Sequence, residues 1–378
     1  MATAHIDTAQ LGETRSLPAT WYCDERVFEI EKQELFFKNW HYVCHLSQVD
    51  APGKYITARL FDQEFFVVGG NQGEVRAFYN VCPHRAHRLV DGVGEKRRIV
   101  CPYHRWTYDL RGKLVGARGL SDTQSFDRQD ICLSEIRVET LLGFVFINLD
   151  TTAELLASYA GELSDQVLKV IPDLDRYELV SGSNYFGGGY QANWKVMLDN
   201  FLECYHCEAA HPTFVDMLDM STMQFSFHGN FSYQVVQAAI KDDYAAFPLD
   251  AVDDATVGHF WYLFPNIILT VFPGVKNLGI SRCDPLGVDR TIRYFDMLVA
   301  PDADPDRLTA RADWGMNVVN EEDKSLCENV QLGMQQRGFT QGYYLLDPDN
   351  GNITEEAVRF FHRHYAKAMG DKLSSVGI

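Results

Sequence analysis

Cys82-Pro83-His84-Arg85 and Cys101-Pro102-Tyr103-His104, with sixteen residues between His84 and Cys101, are the stretches from which the rest of the chain can be read. Each offers one thiolate and one imidazole, with a proline after the cysteine. Two thiolates on one iron and two imidazoles on the other satisfy a [2Fe–2S] cluster. Imidazole is neutral where thiolate is anionic, so such a cluster has a higher potential than its four-cysteine counterpart. A Cys2His2 zinc site uses the same donors. Zinc fingers, however, generally present two cysteines and then two histidines, whereas here each short loop brings one of each. The flanks Phe78 to Val81 and Ile99 to Val100 are strand-like, which predicts two loops presented at the tip of a β domain.

Outward from these loops, from Trp40 to about Asp150, the pattern is one of short alternating or apolar runs: Tyr55 to Leu60, Phe65 to Val68, Val75 to Tyr79 and Gly143 to Leu149. Turns such as Gly69-Gly70-Asn71 separate them. A helix capped by Asp24 and running to about Asn39 leads into this region. Beyond Asp150 a helical pattern (Leu155, Leu156, Tyr159, Leu163, Val167) precedes strand-like segments at Tyr233 to Ile240, Phe260 to Phe272, Leu278 to Cys283 and Thr291 to Val299. A helix is expected from about Asp306 to Arg337, breaking at Gly315. A last one should start at a Thr354 cap, with Glu355 and Glu356 in its first turn, and stop near Gly370. The expected class is α+β: a mostly β domain over 40–150, and a larger domain from 1–39 and 151–378 whose antiparallel sheet is covered by helices.

The second constellation lies in Asn193-Trp194-Lys195-Val196-Met197-Leu198-Asp199-Asn200-Phe201-Leu202-Glu203-Cys204-Tyr205-His206-Cys207-Glu208-Ala209-Ala210-His211-Pro212. It reads as a helix ending in a histidine pair. On a regular helix His206 and His211 stand about 140° apart, so the helix must distort or end between them for both to bind one ion. A third ligand must come from elsewhere. Asp323, in Asn320-Glu321-Glu322-Asp323-Lys324, is the leading candidate, with Glu321 and Glu322 as adjacent alternatives. Two histidines and a carboxylate on one face of Fe(II) leave positions open for O₂ and substrate. The bland reading is a pair of ordinary helix-end histidines beside a solvated acidic face. For Cys204 and Cys207 the expectation is buried thiols.

With 34 basic and 52 acidic residues the formal charge is -18, a field that repels phosphate backbones and anionic headgroups, so neither nucleic acid nor membrane is an expected partner. The opening, Met1 to Pro18, is polar and lacks the apolar core of a secretory signal. The longest apolar stretch, Phe260 to Val275, is cut by Pro265-Asn266 and Pro273-Gly274, and reads as two buried strands joined by a turn, not a membrane span. Nine cysteines at low density point to reduced thiols and a cytoplasmic setting.

The two motifs together, in this order, resemble those of the catalytic (alpha) subunits of Rieske non-haem iron oxygenases, over most of the chain from about Trp21 to Ala368. The resemblance implies that Cys82, His84, Cys101 and His104 hold the [2Fe–2S] cluster of a Rieske domain and that His206, His211 and Asp323 hold a mononuclear Fe(II). Asp323-x-x-x-x-Glu328-x-x-Gln331 looks like the family's C-terminal ligand region. Members are commonly trimers in which the cluster of one subunit feeds the iron of its neighbour through a bridging carboxylate. Glu203 matches that position, where aspartate is commoner; Asp199, one turn earlier, is the competing bridge.

Within the family, Asn200 to Cys207 and Val330-Gln331-x-Gly333-x-x-x-Arg337-Gly338 look most similar to the enzymes acting on carnitine, glycine betaine, choline or proline betaine. A quaternary ammonium needs aromatic faces, and Phe260, Trp261, Tyr262, Phe264, Tyr343 and Tyr344 are the candidates. The expected chemistry is O₂-dependent N-demethylation or hydroxylation of such a small substrate, as a monooxygenase. The alternative is an aromatic-ring hydroxylating mono- or dioxygenase, and the non-enzyme rival is a Rieske electron carrier with no second iron. No Gly-x-Gly-x-x-Gly loop or plant-type ferredoxin cysteine array is present, so electrons are expected from a separate NAD(P)H-dependent reductase.

Overall fold

The computed structural model describes residues 14–119, 127–180, 186–239, 246–247, 249, 255–347, 349 and 351–375. The polar opening up to Glu13, and Ile240 at the end of one expected strand, lie outside the described residues. The chain separates into two compact units, Phe37–Ser158, and Met1–Phe36 together with Tyr159–Ile378.

The smaller unit is built on a seven-stranded antiparallel sheet. Its strands run in the order His41–His45, Phe144–Asn148, Glu135–Leu141, Val75–Tyr79, Gln63–Gly69, Lys54–Leu60 and Val93–Glu95. A second sheet of three strands joins Ile99–Val100, Thr107–Tyr108 and Leu114–Gly116. The strand Gln63–Gly69 explains why one run here is continuously apolar. Phe66 and Val68 point into one buried cluster, with Phe78, Tyr108, Cys82 and Cys101. Phe65 and Val67 point into another, with Ile136, Val145 and Ile147. Successive side chains of a strand face opposite ways, so a strand packed on both faces loses its polar alternation.

The larger unit carries a meander. Leu218–His228, Phe231–Ala238, Val257–Leu263, Ile267–Val271, Asn277–Gly287 and Arg290–Val299 each pair antiparallel with the next. Glu178–Leu179 and Phe186–Tyr190 pair with the last of them. The expected strands around Phe260 to Phe272 are the hairpin in this meander, turning at Phe264-Pro265-Asn266. The first strand, Leu218–His228, was not foreseen. Among the described residues no helix is long and apolar enough to cross a membrane.

Helices differ from expectation mainly at their ends. Asp24 does cap the first long helix, its carboxylate accepting from the Arg26 amide, but that helix ends at Glu34 and passes into a 3-10 turn, Phe36–Lys38. The pattern after Asp150 resolves into two short helices, Leu156–Ala160 and Leu163–Val170, parted at Gly161, whose φ of +56° favours glycine. The long late helix begins at Pro305 after an Asp304 cap. At Gly315 it becomes a π-helical turn, Gly315–Val319, and it continues as Asn320–Met334. The last helix, Glu356–Ser375, runs through Gly370 because Met369 and Leu373, both fully buried, extend its apolar stripe.

Buried polar contacts lock the helices of this unit together. Lys195 and Glu31 are completely buried and 2.5 Å apart, and Glu31 also accepts from Tyr365 and from the Trp194 indole. Breaking one side of such a pair leaves an uncompensated charge in the core, a cost of roughly 3–5 kcal/mol.

Candidate metal centres

The two Cys-Pro loops share one backbone design. In the first, the Cys82 amide donates to the His87 carbonyl and the Ala86 amide to the Cys82 carbonyl. In the second, the Cys101 amide donates to the Trp106 carbonyl and the Arg105 amide to the Cys101 carbonyl. Ala86 and Arg105, each four residues after its cysteine, both take positive φ, 56° and 63°. The histidine alone shifts register, two residues after Cys82 and three after Cys101. Asn80 closes the first loop at its base: its side chain accepts from the Leu89 and Val90 amides and donates to the Val90 carbonyl.

Both cysteines are buried in the apolar cluster, and the Tyr108 hydroxyl lies 3.1 Å from the Cys82 sulfur. The imidazoles lie outward, His84 half-buried and His104 exposed, with ring centroids 4.7 Å apart. Trp106 stacks on His84 at 4.5 Å and 7°. His84 Nδ1 is buried and has no hydrogen-bond partner among the described residues. No three of these four residues bring one donor atom each within 4.8 Å of one another. Ligands about 2.0–2.3 Å from a single tetrahedral zinc would sit closer than that. Buried thiols on one side, imidazoles on the other and a spread too wide for one ion fit a two-iron cluster.

The second centre is compact. His206, His211 and Asp323 are the group among the described residues whose donor atoms do converge, all within 4.8 Å. His206 Nε2 and His211 Nε2 are 3.2 Å apart, and Asp323 Oδ1 lies 2.9 Å from His211 Nε2 and 3.6 Å from His206 Nε2. Two ligands about 2.1 Å from an ion and at right angles lie about 3 Å apart, so these atoms can share one face of a first-row metal.

The expected single helix does break to allow this. Trp194–Phe201, capped by Asn193, stops; His206 precedes a short turn, Cys207–Ala210; and His211 sits between that turn and Pro212–Met217. Contrary to expectation, Cys204 and Cys207 are not thiols but a disulfide. The break brings their Cα atoms to 4.9 Å, inside the range a disulfide spans, and the bridge ties the turn between Glu203 and His206.

Carboxylates surround the imidazoles. Glu203 Oε1 is 2.6 Å from His206 Nδ1, and its other oxygen accepts from the His206 amide at 3.1 Å. Glu322 lies 2.7 Å from His211 Nδ1, so this alternative ligand stands behind a histidine instead, while Glu321 is exposed. Asp199, the competing bridge, bonds Tyr22 at 2.7 Å and His362 at 2.8 Å, not His206. Burial opposes protonation of His206, but Asp323 and Glu203 outweigh it and hold the imidazole up at about 9. His211 is raised likewise against its burial, chiefly by Asp323. Burial pushes the Asp323 carboxyl up, and the two imidazoles more than reverse this, down to about 2. Glu328 and Gln331 dock the Asp323 helix by accepting from the Gln191 and Asn193 amides at 3.0 and 2.8 Å.

Comparison with known proteins assigns a family to each part of the chain. The Rieske [2Fe-2S] domain family matches residues 39–127, and the Ring hydroxylating alpha subunit (catalytic domain) family matches residues 168–371. The carnitine monooxygenase oxygenase subunit of Escherichia coli (strain K12) is 33% identical over 361 residues, 95% of each chain. This chain belongs to the Rieske oxygenase alpha subunits. A glycine betaine monooxygenase oxygenase subunit of Chromohalobacter salexigens is 36% identical over 218 residues, 57% of this chain and 47% of its own. A solved quaternary ammonium Rieske monooxygenase superposes with a TM-score of 0.87 at 30% identity, covering 96% of this chain and 97% of that one. This Rieske oxygenase is thus an oxidoreductase with a [2Fe–2S] domain and a catalytic domain that binds mononuclear iron. It acts on a small molecule with electrons from a partner protein. The carrier reading falls, because the catalytic domain is present.

In this Rieske oxygenase the His206, His211 and Asp323 side chains open into a cavity of ≈ 420 Å³. Its aromatic wall includes Phe201, Phe214, Phe260, Phe272, Phe295 and Trp314, with Tyr190 beside them. Of the six aromatics expected from sequence, Phe260 alone lines it. Trp261 stacks on Tyr233 and His259, on the other face of the strand. Tyr262 donates to the Pro265 carbonyl, Phe264 lies beside His364, Tyr344 pairs with His362, and Tyr343 is exposed under the Arg15 guanidinium.

Proposed function

We propose that the protein is the oxygenase component of a two-protein system that N-demethylates or hydroxylates a small quaternary ammonium compound of the glycine betaine, carnitine, choline or proline betaine type. The carrying observation is the position of the aromatic wall. Phe201, Phe214, Phe260, Phe272, Phe295 and Trp314 line the same cavity as the His206, His211 and Asp323 side chains. Aromatic faces attract a cation that cannot hydrogen-bond, so a bound trimethylammonium would present its methyl groups to the metal side. The full-length similarity to a carnitine monooxygenase subunit supports the same substrate class. Aromatic-ring hydroxylation is the second reading, since flat apolar walls also suit an arene.

In this reading Cys82, His84, Cys101 and His104 hold the cluster, and His206, His211 and Asp323 hold the Fe(II), which supplies activation of O₂. Glu203 orients His206 through Nδ1 and serves as the bridge by which electrons arrive from a cluster histidine of a neighbouring subunit. That role needs a homotrimer and a NAD(P)H-dependent reductase, and we place the system in the cytoplasm, where that reductant is made. Hydroxylation of an N-methyl group consumes O₂, two electrons and two protons, and gives water and an N-hydroxymethyl hemiaminal. The hemiaminal then expels formaldehyde and leaves the demethylated amine. The test is substrate-dependent O₂ uptake with a surrogate reductase and a panel of betaines, choline and aromatic acids. Formaldehyde in step with O₂ from a quaternary amine is the expected result; a diol or phenol from an arene, with none of the amines active, would reject it.

A further inference from the structure

One charge in the cavity has no counter-charge among the described residues. Arg311, on the helix Pro305–Trp314, lines the cavity and is 9% exposed. Its guanidinium meets the Asn277 side-chain oxygen at 3.0 Å, the Met297 sulfur at 2.8 Å and the face of Phe272 at 5.8 Å from the ring centroid. Its Nε has no hydrogen-bond partner among the described residues. Among the described residues no carboxylate pairs with it, and burial alone acts on it, lowering it to about 10. The other guanidinium on the cavity wall, Arg293, is less buried and bonds the Ser281 hydroxyl.

A buried cation without a counter-charge costs several kcal/mol unless something else supplies the anion. Guanidinium is the side chain best shaped to take a carboxylate in two parallel hydrogen bonds. The cavity thus joins two opposite demands: aromatic faces that suit a cation, and a dry guanidinium that lacks an anion. We propose that Arg311 anchors the carboxylate of the substrate, so that the enzyme takes a quaternary ammonium carboxylate, a zwitterion, in preference to a quaternary alcohol such as choline. The cationic half of this proposal rests on the reading given above; the anionic half rests on Arg311 alone.

The test uses the holoenzyme with a surrogate reductase and three probes: γ-butyrobetaine, its methyl ester, and choline. Binding is measured by calorimetry and turnover by O₂ uptake. The wild type should favour the acid over both uncharged-end probes. Arg311→Gln should raise KM and Kd for the acid about 100-fold with a much smaller change in kcat, and leave the ester unaffected. Arg311→Lys, which keeps the charge but not the fork, should retain part of the preference and guards against a folding defect in the first variant. Equal use of acid and ester by the wild type would overturn the proposal while leaving the quaternary ammonium reading intact. So would a preference erased by Arg293→Gln and not by Arg311→Gln. If an aromatic carboxylate binds in an Arg311-dependent way and no quaternary amine does, the anchor stands and the cationic reading falls.

Discussion

The imidazole of His211 is held between two adjacent carboxylates of one helix, with Nδ1 2.7 Å from Glu322 and Nε2 2.9 Å from Asp323. A proton kept on Nδ1 by Glu322 leaves the Nε2 lone pair for the metal. Glu322→Gln should therefore weaken iron affinity about 10- to 100-fold without touching the cluster. Iron per chain after dialysis against a chelator, alongside the visible spectrum of the cluster, measures this; full iron retention would sink the idea.

Asp323→Ala removes the carboxylate that faces both imidazoles. The protein should then bind two irons per chain where the wild type binds three, with acid-labile sulfide unchanged. Loss of sulfide as well would mean that the residue matters to the fold and not to one ion.

Glu203→Gln keeps the size of the side chain that bonds His206 at both the ring and the amide. Both metals should remain, while turnover coupled to the reductase slows by about 10-fold or more. A variant that loses either metal, or that turns over at the wild-type rate, contradicts the bridging role.

His259 provides a pH dependence of stability away from the metals. Burial pushes its imidazole from 6.5 down to about 4, and its Nδ1 shares a 2.6 Å hydrogen bond with the Tyr233 hydroxyl. As pH falls below 6.5 the unfolded chain takes up this proton and the folded chain does not until about 4. The contribution is therefore fully present above 6.5 and declines through that window. With partial exposure discounted, it amounts to on the order of 1 kcal/mol at pH 5. Urea midpoints at pH 7 and 5 should fall further apart in the wild type than in His259→Gln; an equal fall in both would remove the assignment.

The convergence of His206, His211 and Asp323 was legible because the candidate donors are packed into short segments: a histidine pair and one acidic helix start, beside the two Cys-Pro loops. The paired strands were legible where one face or both are apolar. Leu218–His228 was not, because its pairing with the next strand slips between Asp219 and Gln224, where the partner advances only from Gln237 to Val235. The bulge destroys the alternation that betrays a strand. The cavity wall was hidden for the opposite reason. In Phe260-Trp261-Tyr262-Leu263-Phe264 every position is apolar or aromatic, so period alone cannot say which residue faces the site. Gly370 misled as a helix stop since its propensity penalty of about 1 kcal/mol is small beside the burial of Met369 and Leu373. The disulfide depended on a break in the helix whose form no spacing encodes.

The π-helical turn Gly315–Val319 separates Arg311 and Trp314, on the cavity wall, from Asp323, beside the imidazoles. Such a turn closes its hydrogen bonds one residue later than an α-helical turn. Arg311 and Trp314 therefore stand on a helical register offset from that of the helix carrying Asp323, so the cavity wall and the carboxylate that meets the two imidazoles are set by two differently wound stretches of one rod.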